Sequence, residues 1–492
     1  MMITRMARKT VLIPIAAVIA VLAGTGFFLV LSGRAADILT GQEAGPGRQL
    51  VVPAYDFDIT LDFDRHTVDV REKMIVTNRT DKTWDRLAFC VTPAVHPGVF
   101  TLNRFALTIQ REAQVVQPSV HSSMLTVDLA RPARPGEELV AELDYRLALR
   151  KLNLYVIHPV GNLGYGSLVT QCGDCFATLT PFDPERGFRE WEYAPVGDPY
   201  VYPLASYDVR VSAEPGVIVA AAGLVEQKGA DWRFSLPCAR SFAFTASRQY
   251  AVSRAKAGDI DLSCFYVKGF ERQAAVILET AEQSLDLFGK TYGPYMGHEL
   301  VIAQDAYGSA MEYSNFITIA HTYMQDYTPA RPQLLLYLVA HEISHQWWYN
   351  AVGSDQVLEP WLDEGLAKYS EYLYFRAYRP EFVEWWEKNI AGKRPPDRYV
   401  DDSIYELADD SREYARVIYG MAPAFLRELQ EKIGDQAFMD FLKDYYRTGN
   451  GRFVTAADFF AALGRHTRED ITPILRTYFR HPPQIAGGLT GP

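Results

Sequence analysis

The run His341-Glu342-Ile343-Ser344-His345, followed at a distance by Glu364, constrains this chain more than any other feature. The surrounding segment Gln333–Tyr349 is apolar over its first half and predicts a helix. Residues four apart share one helix face, so both imidazoles can reach a single cation. Eighteen residues separate His345 from Glu364. Pro360 suits the first position of a second helix, where its missing N–H is not needed, and that helix is expected to continue through Trp361–Arg376. A helix, a loop and an antiparallel helix then return the Glu364 carboxylate to the two histidines. Two imidazoles and one carboxylate suit Zn2+, with the fourth position open for water or a carbonyl oxygen. Glu342 stands beside these ligands, where it can take a proton from a metal-bound water. A purely structural metal would need neither that base nor an open position. Glu371 is seven residues beyond Glu364 on the same helix face. It is a candidate partner for the outer nitrogen of a ligand histidine, or a plain surface ion pair.

The rest of the chain divides by the period of its apolar residues. From Val51 the pattern alternates, as in Tyr55–Leu61, and then in Thr67–Arg71 and Lys73–Thr77 after short breaks. Similar runs recur at Leu125–Leu129, Glu138–Leu147, Tyr207–Ser212, Gly216–Ala221 and Trp232–Ala243, separated by turn residues. Strands at this density predict a β-rich domain over 51–248. The period then changes to that of helices. Glu271–Leu287 places Ala274, Ile277, Leu278, Ala281 and Leu285 near helical spacing, and further helices are expected around Met421–Lys432, Asp435–Tyr446 and Ala456–Leu463. The order predicts an α+β multidomain protein, with a mainly helical second domain over 249–450 and a short helical segment and tail over 451–492.

Arg5, Arg8 and Lys9 precede an uncharged apolar run, residues 11–33. The run is long enough to span a bilayer as a helix; a cleaved signal peptide, whose apolar core is expected to be shorter, is the alternative. The run reads as a single membrane anchor, with residues 1–10 cytoplasmic by the positive-inside rule, a linker over 34–50 and the remainder outside the cytoplasm. The five cysteines, Cys90, Cys172, Cys175, Cys238 and Cys264, leave at least one unpaired within the chain. Cys238 with Cys264, or Cys172 with Cys175, are candidate pairs in an exported protein. The formal net charge of -11 argues against nucleic acid, which wants basic patches. Nothing in the sequence sets the oligomeric state.

The segment His341-Glu342-Ile343-Ser344-His345-Gln346-Trp347-Trp348, with Trp361-Leu362-Asp363-Glu364-Gly365, resembles the HExxH-x18-E signature of the M1 family of zinc aminopeptidases. The resemblance covers about residues 51–480. It implies an N-terminal β-saddle domain in front of a thermolysin-like catalytic domain, without the large C-terminal helical domain that many members carry. It also implies roles for particular residues. Gly308-Ser309-Ala310-Met311-Glu312-Tyr313 is similar to the family's GxMEN signature, with Tyr313 where the Asn stands. Ala310, Met311 and Glu312 are therefore expected at the substrate, Glu312 holding its free α-amine. Tyr419 fits the family's oxyanion-binding tyrosine, although Met421-Ala422 replaces the usual Lys-Gly, and Tyr414 is the alternative. Thr170-Gln171-Cys172-Gly173-Asp174-Cys175, followed by Pro181-Phe182-Asp183-Pro184, resembles the family's segment in which Gln171 and the residue two positions later face the substrate amine. Here that second position is Gly173, and Asp174 or Gln171 would have to substitute.

The expected activity is hydrolytic removal of N-terminal residues from peptides with a free N-terminus, with one Zn2+ per chain. A zinc endopeptidase or other zinc hydrolase is the alternative within enzymes. A membrane-anchored binding module that retains a zinc site is the alternative outside them.

Overall fold

The computed structural model describes residues 51–152, 162–306, 310–331, 333–389 and 397–483. The expected anchor 11–33 with its flanks 1–10 and 34–50, the Gly308-Ser309 pair and the end of the tail lie outside these residues. Among the described residues no helix is long and apolar enough to cross a membrane.

The first half carries strands β1 (Ala54–Asp62), β2 (Thr67–Thr77), β3 (Phe100–Ile109), β4 (Glu138–Ala148), β5 (Thr170–Cys172), β6 (Ala205–Ser212) and β7 (Asp231–Ala239). All but β5 join an eight-stranded sheet in the order Leu224–Lys228, β7, β6, β1, β2, β4, β3, Glu112–Gln114. The alternation seen in sequence is the cause. In β2 the side chains of Val68, Val70, Met74 and Val76 are buried, while Arg71 and Lys73 face solvent, as the two-residue period of a one-sided sheet requires. The break expected between Arg71 and Lys73 is absent. Glu72 keeps its inward parity because its carboxylate accepts a 2.9 Å hydrogen bond from the Tyr145 hydroxyl on β4. A four-stranded sheet places β5 between Leu163–Tyr165 and Phe244–Ser247, and Phe57, Phe176, Phe242 and Phe244 fill the space between sheets.

A five-stranded sheet begins at Tyr250. Its members are β8 (Tyr250–Ala257), β9 (Ile260–Val267), β10 (Glu299–Gln304), β11 (Met311–Tyr313) and β12 (Phe316–Ile319), in the order β8, β9, β10, β12, β11. Helix α1 (Glu271–Thr291) follows β9 and buries the five apolar positions named from its period. Helices α2 (Gln333–Ser344) and α3 (Glu364–Tyr378) pack beside it. Further helices occupy Ala422–Ile433, Asp435–Gly449, Ala456–His466 and Thr472–Tyr478. A multi-sheet β region thus precedes a mainly helical one, and all described residues lie within one compact unit, Glu43–Pro492.

Two helix ends differ from expectation. Helix α2 stops at Ser344 rather than reaching Tyr349. The Ser344 hydroxyl donates to the His341 carbonyl at 2.7 Å, competing with the helical ladder, and the chain widens into turns in which Asn350 N–H reaches the His345 carbonyl at 2.9 Å. Pro360 opens only a 3-10 turn, Pro360–Leu362, and α3 starts afresh at Glu364. Asp363, at the cap position, does not cap, because its side chain is committed elsewhere. The cysteines are all unpaired, so neither candidate disulfide forms.

Candidate active site

Helix α2 presents His341 and His345 on one face, with their Nε2 atoms 3.2 Å apart. Glu364, the first residue of α3, brings Oε2 to 3.1 Å from His341 Nε2 and 3.6 Å from His345 Nε2. The 3-10 turn before it is anchored by Trp361, which is fully buried, with its ring 5.0 Å from Phe459 and 5.5 Å from Phe479. The C-terminal helices therefore set where Glu364 enters. On the other side, the buried Arg240 guanidinium donates to the carbonyls of Tyr349, Asn350 and Tyr202, at 2.6, 3.1 and 3.1 Å. It ties the turn after His345 to the β region.

The outer nitrogens of both imidazoles meet carboxylates. His341 Nδ1 lies 3.0 Å from Glu371 Oε1, and His345 Nδ1 lies 2.6 Å from Asp363 Oδ1. The His345–Asp363 contact is a hydrogen bond that turns the His345 Nε2 lone pair inward, the arrangement that orients a metal-binding histidine, whereas His341 Nδ1 faces the Glu371 carboxylate at ion-pair distance without hydrogen-bond geometry. Glu371 is buried and also accepts from Lys368 Nζ at 2.8 Å and Trp386 Nε1 at 2.9 Å. It is a histidine-orienting group, not a surface ion pair. Burial alone would raise Glu364, but the two histidines outweigh it and hold its carboxylate well below the usual range. Glu364 Oε2 makes no hydrogen bond although it is buried. Two inward Nε2 atoms and an unsatisfied carboxylate oxygen, all within 4.8 Å of one another, form a donor set that fits a divalent cation of zinc's preferences.

Glu342 sits beside this set and has a buried, unsatisfied Oε2. Burial pushes its carboxyl up to about 7, against the pull of His341 and His345. Glu312, on the edge strand β11, is buried and has a carboxylate oxygen within 4.8 Å of ligand atoms of His345 and Asp363. Burial raises its pKa well above the usual range; His345 opposes the rise, and Asp198, Glu342 and Asp363 add to it. Tyr419 lies in a π-helical turn, Ala415–Met421, and donates to Glu364 Oε1 at 2.7 Å. Tyr414 does not reach Glu364 in this way. Its hydroxyl is buried over Gly197, and its ring lies 5.7 Å from that of Tyr419.

His341, Glu342, His345, Glu364, Glu312 and Tyr419 thus converge on one place. Gln171, Ala310 and Met311 stand at its margin. Gln171 Oε1 accepts from the Ala306 N–H at 2.7 Å, which fixes the chain ahead of β11, and Met311 is buried while Ala310 is partly exposed. Three contributors were not foreseen from sequence. Asp363 stands next to Glu364 in sequence, and that adjacency is its one signal. Lys368, four residues after Glu364, shares the same face of α3; its ammonium lies 4.9 Å from the Tyr337 ring and 5.3 Å from the Tyr419 ring. Asp198 arrives from a distant loop without any local signal.

Residues 276–478 match the peptidase family M1 domain. Aminopeptidase M1-B of Oryza sativa subsp. japonica is 25% identical over 224 residues, covering 43% of this chain and 26% of that protein. Aminopeptidase N of Lactococcus lactis subsp. lactis is 23% identical over 210 residues, covering 40% of this chain and 25% of that protein. The chain spans about a quarter of the length of these curated relatives. The crystal structure of the M1 zinc metallopeptidase from Deinococcus radiodurans superposes with a TM-score of 0.63 at 19% identity, covering 93% of this chain and 99% of that one. The two chains share a fold.

Proposed function

We propose that this chain is a zinc-dependent aminopeptidase that removes residues from the free N-terminus of peptides. The observation that carries the reading is the position of Glu312. A buried carboxylate next to the His341–His345–Glu364 set limits the distance between a bound ammonium and the reacting carbonyl. M1 aminopeptidases among the relatives support it.

His341, His345 and Glu364 would hold the zinc ion, which when bound polarises a carbonyl and acidifies a water. Glu342 takes the water proton and passes it to the leaving amine. Tyr419 turns its hydroxyl toward the oxyanion, a donor aimed where charge develops. Glu312 holds the substrate ammonium in a charge-assisted bond. Asp363 and Glu371 keep the two imidazoles in register. Tyr419→Phe should lower kcat about 100-fold or more with KM little changed, the usual cost of losing one oxyanion donor; a fall of less than fivefold would reassign that role.

A panel of aminoacyl fluorogenic substrates tests the whole reading. Hydrolysis should stop with chelator and return with Zn2+, and N-acetylation of the substrate should abolish it. Equal turnover of acetylated and free peptides would make the protein an endopeptidase. Release of products without metal would remove the zinc reading altogether.

The apolar run 11–33 and its basic flank support a single N-terminal anchor with the site outside the cytoplasm. Protease added to intact cells should then digest the catalytic region, and full protection would refute that placement.

A further inference from the structure

The free-amine reading rests on Glu312 because residue 173 is glycine, and the structure gives a reason for the glycine. A Cβ at Gly173 would overlap the Tyr313 hydroxyl and the ring carbon that bears it. The two departures noted in sequence are therefore one exchange of volume: the bulk absent from the residue that follows β5 is supplied by Tyr313 from β11. Neither nearby substitute is left for an ammonium. Gln171 Oε1 is engaged by Ala306 N–H. Asp174 is buried among neutral donors, with Asn162 Nδ2 at 2.8 Å and the Tyr313 hydroxyl at 3.4 Å.

Asp198 comes from another loop, between Trp191 and β6. It is 2% exposed, and its Oδ1 accepts from the Tyr200 hydroxyl at 2.7 Å. Asn162 Nδ2, 3.5 Å from that hydroxyl, also donates to Asp174. A continuous polar chain thus runs from Tyr313 through Asp174, Asn162 and Tyr200 to Asp198. The neighbouring Gly197 has φ of 58°, and a Cβ there would stand 2.5 Å from the Tyr414 hydroxyl. Gly197 thereby packs directly under the Tyr414 hydroxyl, and Asp198 is the next residue along that loop. The Tyr414 hydroxyl is itself buried without a hydrogen-bond partner among the described residues, a polar group left for a ligand. The charges acting on Asp198 are those of Glu364, Asp363 and Asp174, and Asp198 in turn acts on Glu312. Around the site, Asp198, Glu312, Glu342, Asp363, Glu364 and Glu371 outnumber Lys368 and the two imidazoles. A divalent ion offsets part of that excess, and a substrate cation is the natural remainder.

We infer that Asp198 is the second carboxylate of the amine subsite, taking the α-ammonium of the peptide together with Glu312, with Tyr200 as its positioning residue; this rests on the aminopeptidase reading above. Asp198 replaces, from another loop, the side chain that Gly173 lacks.

The test uses the full-length, zinc-loaded protein and an aminoacyl anilide with a free amine. Asp198→Asn retains an acceptor for Tyr200. It should raise KM about tenfold or more, as loss of a hydrogen bond to a charged group does, with kcat and bound zinc unchanged. Tyr200→Phe removes only a hydroxyl and should raise KM about threefold, which provides an independent reading if the first variant folds poorly. Calorimetric binding of a non-hydrolysable amino alcohol should weaken in parallel, while its N-acetyl derivative binds neither form. Wild-type protein that ignores N-acetylation overturns the aminopeptidase reading and this inference with it. Wild-type protein that discriminates, with KM and amino-alcohol affinity unchanged in both variants, overturns the Asp198 assignment alone.

Discussion

Glu342→Gln should retain its metal and lose turnover. The substitution keeps the shape of a buried side chain and removes the charge that accepts a proton. The three proposed ligands, His341, His345 and Glu364, are untouched, so zinc content measured by atomic absorption should equal that of the wild type. The rate with an aminoacyl fluorogenic substrate should fall about 10²–10⁴-fold, the range for loss of a positioned general base, and the loss should lie in kcat. The wild type also carries a pH signature. Burial lifts the Glu342 carboxyl to about 7, and a bound dication acts in the opposite direction. The acid limb of kcat/KM should therefore fall at or below about 7: protonation removes the base, so activity drops as pH decreases through that limb. In Glu342→Gln the limb should vanish from the residual rate. Turnover above a tenth of wild type, with zinc retained, would show that another group moves the proton.

How much of this arrangement was readable in the sequence depends on distance along the chain. His341, Glu342 and His345 follow from helical spacing alone, and Glu364 follows because a helix–loop–helix is short enough to close. The β region was legible where alternation is strict, as in β2, but the continuity through Glu72 depends on the Tyr145 hydroxyl from another strand. Helix ends were less legible, since Ser344 and Asp363 use their side chains against the local pattern. Gly173 and Tyr313 read as two separate departures, because only the folded chain shows that they share one volume. Asp198 had no signal at all. It reaches the site through a loop whose course is set by Tyr200, Asn162 and Tyr414, residues spread over more than two hundred positions.

Glu364→Ala should abolish both metal binding and activity, and the comparison with Asp363→Asn shows why the two carboxylates differ. Glu364 points an otherwise unsatisfied oxygen between the two Nε2 atoms and accepts the Tyr419 hydroxyl on its other oxygen. Removing it leaves two imidazoles with no third ligand and releases Tyr419 from its place. Asp363 acts one step further out, on His345 Nδ1 at 2.6 Å. Its replacement should weaken zinc affinity about 10–100-fold, the usual effect of an outer partner, and activity should recover in excess zinc. Loss at Glu364 should exceed that range and resist rescue by added metal. Competition with a chromophoric chelator measures both affinities. A melting temperature that rises with zinc in the wild type and in Asp363→Asn, but not in Glu364→Ala, would report the same difference without any substrate, because only a ligand that binds the folded state stabilises it. Equal zinc affinity in Glu364→Ala and wild type would remove Glu364 from the metal set and leave the Glu312–His345–Asp363 cluster as the site to examine.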